Sequence, residues 1–160
     1  MGDVDAAVAE WIDRLAVQDL VVRYSDAATR GDWDAFGKLW TEDAVWEVGP
    51  PVGTRHVGAQ VICDTVKASV DSQDFLVQMV HGAVVTLHGD GRASATTTIH
   101  AIARREGHHH FTNYGVYFDE MVKVDGEWRF SRRNLQPVYS DSGPLPGVSP
   151  ISRADLSRLP

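Results

Sequence analysis

Val8, Trp11, Ile12 and Leu15 recur at helical spacing near the start of the chain. Leu20, Tyr24, Ala27 and Ala28 carry an apolar stripe onward on a slightly rotated face. This pattern predicts one long helix, or two in series, over residues 5–30, ended by Gly31. Asp32 stands where an N-cap belongs, ahead of Trp33, Phe36, Leu39 and Trp40 at helical spacing. A short second helix is therefore predicted, stopped by the polar Thr41-Glu42-Asp43. Residues 44–48 read as a strand, and Gly49-Pro50-Pro51-Val52-Gly53 as a loop. Val57, Val61, Ile62, Val66 and Val70 form the apolar side of a third helix over 57–71. Longer strand patterns follow at 75–88, 92–104, 109–124 and 127–137, with Asp90-Gly91 and Asp125-Gly126 as turns, the second a strong hairpin signal.

Helices thus come first and antiparallel strands follow. That order predicts an α+β fold with helices packed on one face of a curved sheet. With 160 residues, 43% of them hydrophobic, one domain with a real core is expected. Its limit is set at residues 1–137. Four prolines, Pro137, Pro144, Pro146 and Pro150, follow from that limit on, so 138–160 is expected to be an irregular tail.

The formal net charge of -7 argues against a nucleic-acid partner, because a run of two such as Arg132-Arg133 is not a basic patch. The single cysteine, Cys63, permits no internal disulfide and no cysteine metal cluster. The acidic, amphipathic N-terminus lacks a signal-peptide pattern, and no stretch approaches the ~18 apolar residues of a membrane span. A cytoplasmic protein with no membrane partner is expected.

Several segments, in order, resemble the SnoaL-like branch of the nuclear-transport-factor-2-like superfamily. They are Val17-Gln18-Asp19-Leu20 with Arg23-Tyr24, Arg30-Gly31-Asp32-Trp33-Asp34, Leu39-Trp40, and Asp43-Ala44-Val45-Trp46. Gly115-Val116-Tyr117-Phe118-Asp119-Glu120 and Val124-Asp125-Gly126-Glu127-Trp128-Arg129-Phe130 complete the series. The resemblance implies a cone, with a strongly bent sheet around the helices and a pocket at the open end. Its members include dehydratases, a dehydrochlorinase, ketosteroid isomerase and polyketide cyclases, as well as non-catalytic small subunits of dioxygenases. Several are acid–base enzymes without metal or organic cofactor, so no cofactor is expected. Assembly as a homodimer or homotrimer through the outer sheet is also implied. The tail after Tyr139 is expected to reach a neighbour or to cap the pocket.

Continuous strand parity places His81 with Phe75, Val77, Met79, Ala83, Val85 and Leu87 on an apolar face. A buried imidazole is held toward the neutral form that a general base requires. The resemblance matches His81 to a catalytic histidine; the alternative is a core histidine bonded to backbone. Tyr24, on the inner stripe of the first helix, matches a tyrosine able to donate to a developing oxyanion, or else packs in the core. Thr29 departs from the pattern, because dehydratase and dehydrochlorinase relatives carry there an aspartate that orients the histidine. Asp26 points away from the arc of Tyr24, Ala28 and Thr29, so it does not replace that aspartate. The isomerase's proton-shuttling aspartate is matched here by Val48, and Glu47 points to the other face.

Parity and the relatives place Trp46, Val48, Thr97, Ile99, Asn113, Gly115 and Tyr117 on the pocket wall. Arg133 matches a pocket arginine, or else is a surface arginine paired with Glu120 or Asp119. His108-His109-His110 offers half of a metal site with nothing spaced to complete it, so no metal is expected. Two functions follow. One is a cofactor-independent lyase or isomerase of dehydratase or cyclase type, acting on a small hydrophobic ring compound such as a polyketide, steroid or terpenoid, with His81 as base and Tyr24 on the oxyanion. The other is a non-catalytic ligand-binding or assembly module, such as a dioxygenase small-subunit-like scaffold.

Overall fold

The computed structural model describes residues 2–105 and 110–159. Helix α1 spans Gly2–Arg30 and ends where Gly31 takes a positive φ of 74°. The amides of Gly31 and Asp32 both return to the Ala27 carbonyl, which satisfies an orphan acceptor of the last turn. The Asp32 carboxylate then accepts from the Ala35 amide at 3.0 Å and starts α2, Trp33–Lys38. This helix is shorter than the spacing predicts, because Trp40 already belongs to β1, Trp40–Val48. A short β2, Thr54–Val57, pairs with β1 and takes Val57, which helical spacing assigns to the third helix, so α3 starts later, at Ala59–Asp71.

The remaining strands are β3 (Phe75–Val80), β4 (Val84–Gly89), β5 (Arg92–Arg104), β6 (His110–Val124) and β7 (Glu127–Gly143). They join β1 and β2 in one sheet of order β2-β1-β7-β6-β5-β3, with β4 also paired to β5. All pairs are antiparallel except β1 with β7. Asp125 and Gly126 both take positive φ, as a two-residue hairpin turn requires, and the same holds for Asp90 and Gly91. The fold is α+β, with the helices against the concave face. Val17, Leu20, Val21, Tyr24, Phe36, Trp40, Ile62 and Phe130 form the centre of the core. Among the described residues, no helix is long and apolar enough to cross a membrane.

Two further differences from the sequence reading lie later in the sheet. Residues 75–88 are two strands rather than one. Four steps along the chain from Val80 to Val84 face three on β5, from Ile99 to Thr96, so one residue is extra. The last strand also runs past Pro137 to Gly143, still paired with β6. Pro137 is tolerated because Val138 is bulged out beside it, where the ladder is already interrupted. The domain therefore extends beyond residue 137. The rest of the tail folds back on its own chain, ending in a short α4, Arg153–Leu156. Arg153 donates to the Val70 carbonyl at 2.8 Å and packs on Gly31.

Candidate active site

Inward residues of the sheet meet α1 in a buried cluster around Arg133. Along β7, Trp128 and Phe130 face the core, and strict alternation would turn Arg132 inward next. Instead Ser131 is an extra residue between the Met121–Phe130 and Glu120–Arg132 pairs. The bulge reverses the parity, so Arg132 is exposed and Arg133 is fully buried. Its guanidinium carbon lies 4.0 Å from the centroid of Tyr24, 3.8 Å from that of Tyr117 and 4.5 Å from that of Phe130. Three ring faces thus surround one cation in a site shielded from water.

Asp119, 2% exposed, lies directly across from Arg133 on β6. Arg133 Nε stands 3.2 Å from Asp119 Oδ1, within ion-pair range but not aligned as a hydrogen bond. Both carboxylate oxygens, all three guanidinium nitrogens and Thr97 Oγ1 lack a hydrogen-bond partner among the described residues. Such a concentration of unpartnered polar atoms is costly in an interior, which makes this cluster the candidate site. Burial pushes the Asp119 carboxyl up to about 6, against the opposing pull of Arg133. Burial also raises the Tyr24 phenol well above its ordinary value, with Tyr117 adding to the rise. Tyr24 therefore stays protonated, as a hydrogen-bond donor must. Its hydroxyl lies 3.4 Å from that of Tyr117.

The sheet register sets a row across the concave face. His56 pairs with Trp46, Trp46 with Arg133, Arg133 with Asp119, and Asp119 with Ala95. Trp46 and His56 stack at 5.4 Å between centroids, and both are only half-buried. The row runs from a partly open strand edge into the closed centre.

Thr97, Ile99, Tyr117, Asn113 and Val48 are buried on the concave side, and Trp46 is half-buried there. Asn113 Oδ1 accepts from the Ser140 hydroxyl at 3.2 Å. At Gly115 the backbone of β7 comes so close that a Cβ would lie 2.9 Å from the Gln136 carbonyl oxygen. Asp26 is exposed. Arg133 does pair with Asp119, but in the interior and not on the surface.

His81 is the main correction. It is exposed and sits in the bulge between β3 and β4. Leu76 and Val80 pack on the core from β3, whereas Val85 and Leu87 do so from β4. The inward set changes from even to odd numbers across residues 81–82, and continuous alternation cannot see that change. The residue facing Thr29 is Gln78. Thr29 Oγ1 accepts from the Gln78 amide at 3.1 Å, and the Ser25 hydroxyl donates to the Gln78 carbonyl at 3.0 Å. These bonds seal α1 along the free edge of β3. Thr29 is thus spent on backbone and orients no imidazole.

Asp119 and His56 belong to the row across the concave face and are absent from the candidate site residues that the sequence offers. Asp119 shares parity with Asn113, Gly115 and Tyr117, which would have found it. His56 carries no signal in sequence, because β2 lies where the expected loop gives way to the expected third helix. His110 Nδ1 lies 2.6 Å from the Gly143 carbonyl oxygen, and His108 and His109 lie outside the described residues.

A model of the SnoaL-like domain matches residues 9–134. No curated protein matches the chain. Among solved structures, a hexachlorocyclohexane dehydrochlorinase of type 3 from Novosphingobium barchaimii LL02 is 20% identical. The match covers 91% of this chain and 98% of that one, with a TM-score of 0.77. A candidate scytalone dehydratase from Novosphingobium aromaticivorans is 21% identical over 94% and 97% of the two chains, with a TM-score of 0.76. An NTF2-like protein with a cystatin-like fold from the same organism is 21% identical over 86% and 90%, with a TM-score of 0.74.

Proposed function

The chain belongs to the SnoaL-like family, and from that premise we propose that it is a cofactor-independent lyase or isomerase whose working groups are Asp119, Arg133 and Tyr24 rather than His81. The observation that carries this reading is the buried, unpartnered Arg133–Asp119 pair inside a cage of aromatic rings. The similar structures include proteins named for dehydration and dehydrochlorination, which are eliminations.

The substrate class is a small apolar ring compound bearing a carbonyl, in keeping with the rings of Tyr24, Tyr117, Phe130 and Trp46. Entry is along the β1–β2 edge, past the half-buried Trp46 and His56. Asp119, with its carboxyl raised to about 6, is ionised at neutral pH and still basic enough to take a proton from carbon beside the carbonyl. The electron pair moves onto the carbonyl oxygen. Arg133 and the protonated Tyr24 hold that oxyanion in a low-dielectric site. Departure of a leaving group from the next carbon reforms the carbonyl and completes the elimination. Reprotonation at another carbon instead gives an isomerase.

A second reading, a non-catalytic ligand-binding or assembly module, is favoured by Thr29 and Gln78 being consumed in closing α1 onto β3. One experiment separates the two. 4-Nitrophenolate, an anionic ring probe, is titrated by its visible absorbance, and β-hydroxy ring ketones are screened for water loss by mass spectrometry. Binding that falls at least tenfold in Arg133→Met and is unchanged in His81→Ala is expected, together with turnover that Asp119→Asn abolishes. Binding without turnover of any ring ketone supports the module. Binding insensitive to Arg133 but lost in His81→Ala removes the proposed site.

A further inference from the structure

Helix α1 carries two apolar faces. Val17, Leu20, Val21, Tyr24, Ala27 and Ala28 are buried in the core. Val4, Val8, Trp11, Ile12 and Leu15 are 52–67% exposed, and Val22 is 54% exposed. At ~100° per residue the exposed set centres about 180° from the buried one, on the opposite side of the helix. Its members are not scattered. Val4, Val8, Trp11, Leu15 and Val22 alternate by four and three residues, with Gln18 completing the series, which is the a/d seam of a coiled coil. Such a seam is shaped for another helix. The first buried residue of α1 is Val17, so residues 4–15 present their apolar edge free of the domain over ~17 Å.

We propose that α1 pairs in parallel with α1 of a second copy of this chain. The charges beside the seam choose the partner and the direction. With Val8 and Leu15 at position a, and Val4 and Trp11 at d, one flank (position g) carries Ala7 and Arg14. The other flank (position e) carries Asp5, Ile12 and Asp19. A parallel pair brings g of one helix against e of the next heptad in its partner. Arg14 then meets Asp19 of the second copy, and Ala7 meets Ile12. An antiparallel pair would set the acidic flank against itself, with Asp5 facing Asp19. A groove of about 380 Å³ between α1 and β4 runs along the Arg14 flank, lined also by Ala7, Glu10, Trp11, Gln18 and Val85. Within its own chain Arg14 donates to the Val85 carbonyl at 2.7 Å and to the Glu10 carboxylate at 2.7 and 3.1 Å, while Asp19 pairs with Arg23 at 2.6 Å, so Arg14 is held in place and the contact between copies forms by sharing charges already paired within each chain.

The test is sedimentation of the full chain. The wild type is expected as an even-numbered assembly, and the double variant Val8→Glu with Leu15→Glu at half that mass. Both positions are more than half exposed, so unchanged circular dichroism and melting temperature are expected to show an intact fold. Phe118→Arg, on the outer sheet face, is expected to leave the α1 pairing in place. Val8→Cys is expected to form an intermolecular disulfide on mild oxidation, since parallel pairing sets position 8 against its own copy, while Cys63 is buried. A wild type that is monomeric at its highest soluble concentration overturns the proposal, as does an unchanged mass in the Val8/Leu15 variant. Failure of Val8→Cys to cross-link overturns the parallel arrangement.

Discussion

Replacing Asp119 by Asn makes the same side chain permanently uncharged, and the buried pair then has a signed consequence. The folded protein holds the Asp119 carboxyl at about 6, against an ordinary value of 3.8. At about 1.4 kcal/mol per pH unit, that gap corresponds to about 3 kcal/mol. Because the folded value is the higher one, the folded state holds the extra proton between these limits. The stability due to Asp119 is complete below about pH 4 and is lost as pH rises through about 6. Asp119→Asn escapes that loss. Its Arg133 is not stranded, since the faces of Tyr24, Tyr117 and Phe130 still surround the cation. The variant is therefore expected to match the wild type at pH 4 and to exceed it by up to about 3 kcal/mol at pH 8. Urea denaturation across that range measures the difference. Asp13 and Glu47, whose carboxyls are held low chiefly by Lys123 and Arg132, titrate in both proteins and cancel. An Asp119→Asn protein less stable than wild type at pH 8 would refute the reasoning, because the ion pair would then outweigh its desolvation.

Arg133→Met leaves the acid without its cation and is expected to cost roughly 3–5 kcal/mol at pH 8, while Arg133→Met combined with Asp119→Leu returns close to wild-type stability; a double-mutant cycle by urea denaturation checks both. Thr29→Val strips the acceptor from the Gln78 amide and is expected to cost about 1–3 kcal/mol, with faster hydrogen exchange at that amide. Gly115→Ala forces β6 from β7 and is expected to cost about 1–3 kcal/mol by thermal melting, since the clash at 2.9 Å is with backbone.

The architecture was readable because helix spacing and turn chemistry are local. Asp32 capped α2, Gly31 ended α1, and Asp125-Gly126 made the hairpin, each from residues adjacent in sequence. The site was less readable because strand parity is a running count that one inserted residue reverses. The bulge at His81-Gly82 turned the expected base out to solvent, and the bulge at Ser131 turned Arg133 in. Neither leaves a compositional mark, since the flanking residues alternate plausibly in either register. The sequence joins the apolar residues of α1 into one stripe with a slight rotation, whereas Val8, Trp11, Ile12 and Leu15 lie opposite the buried face, because which side meets the core depends on where the sheet lies. Tyr24 was placed by helical spacing alone, while its cage partners came together only across strands far apart in the chain.

The most direct test of the Arg133–Asp119 site is a carbon-13 NMR titration of the Asp119 carboxyl in the folded protein. A midpoint near 6, moving higher in Arg133→Met, is expected. A midpoint at or below the ordinary 3.8 would contradict it, because a carboxylate that comfortable in the interior would be a settled ion pair with no proton left to trade.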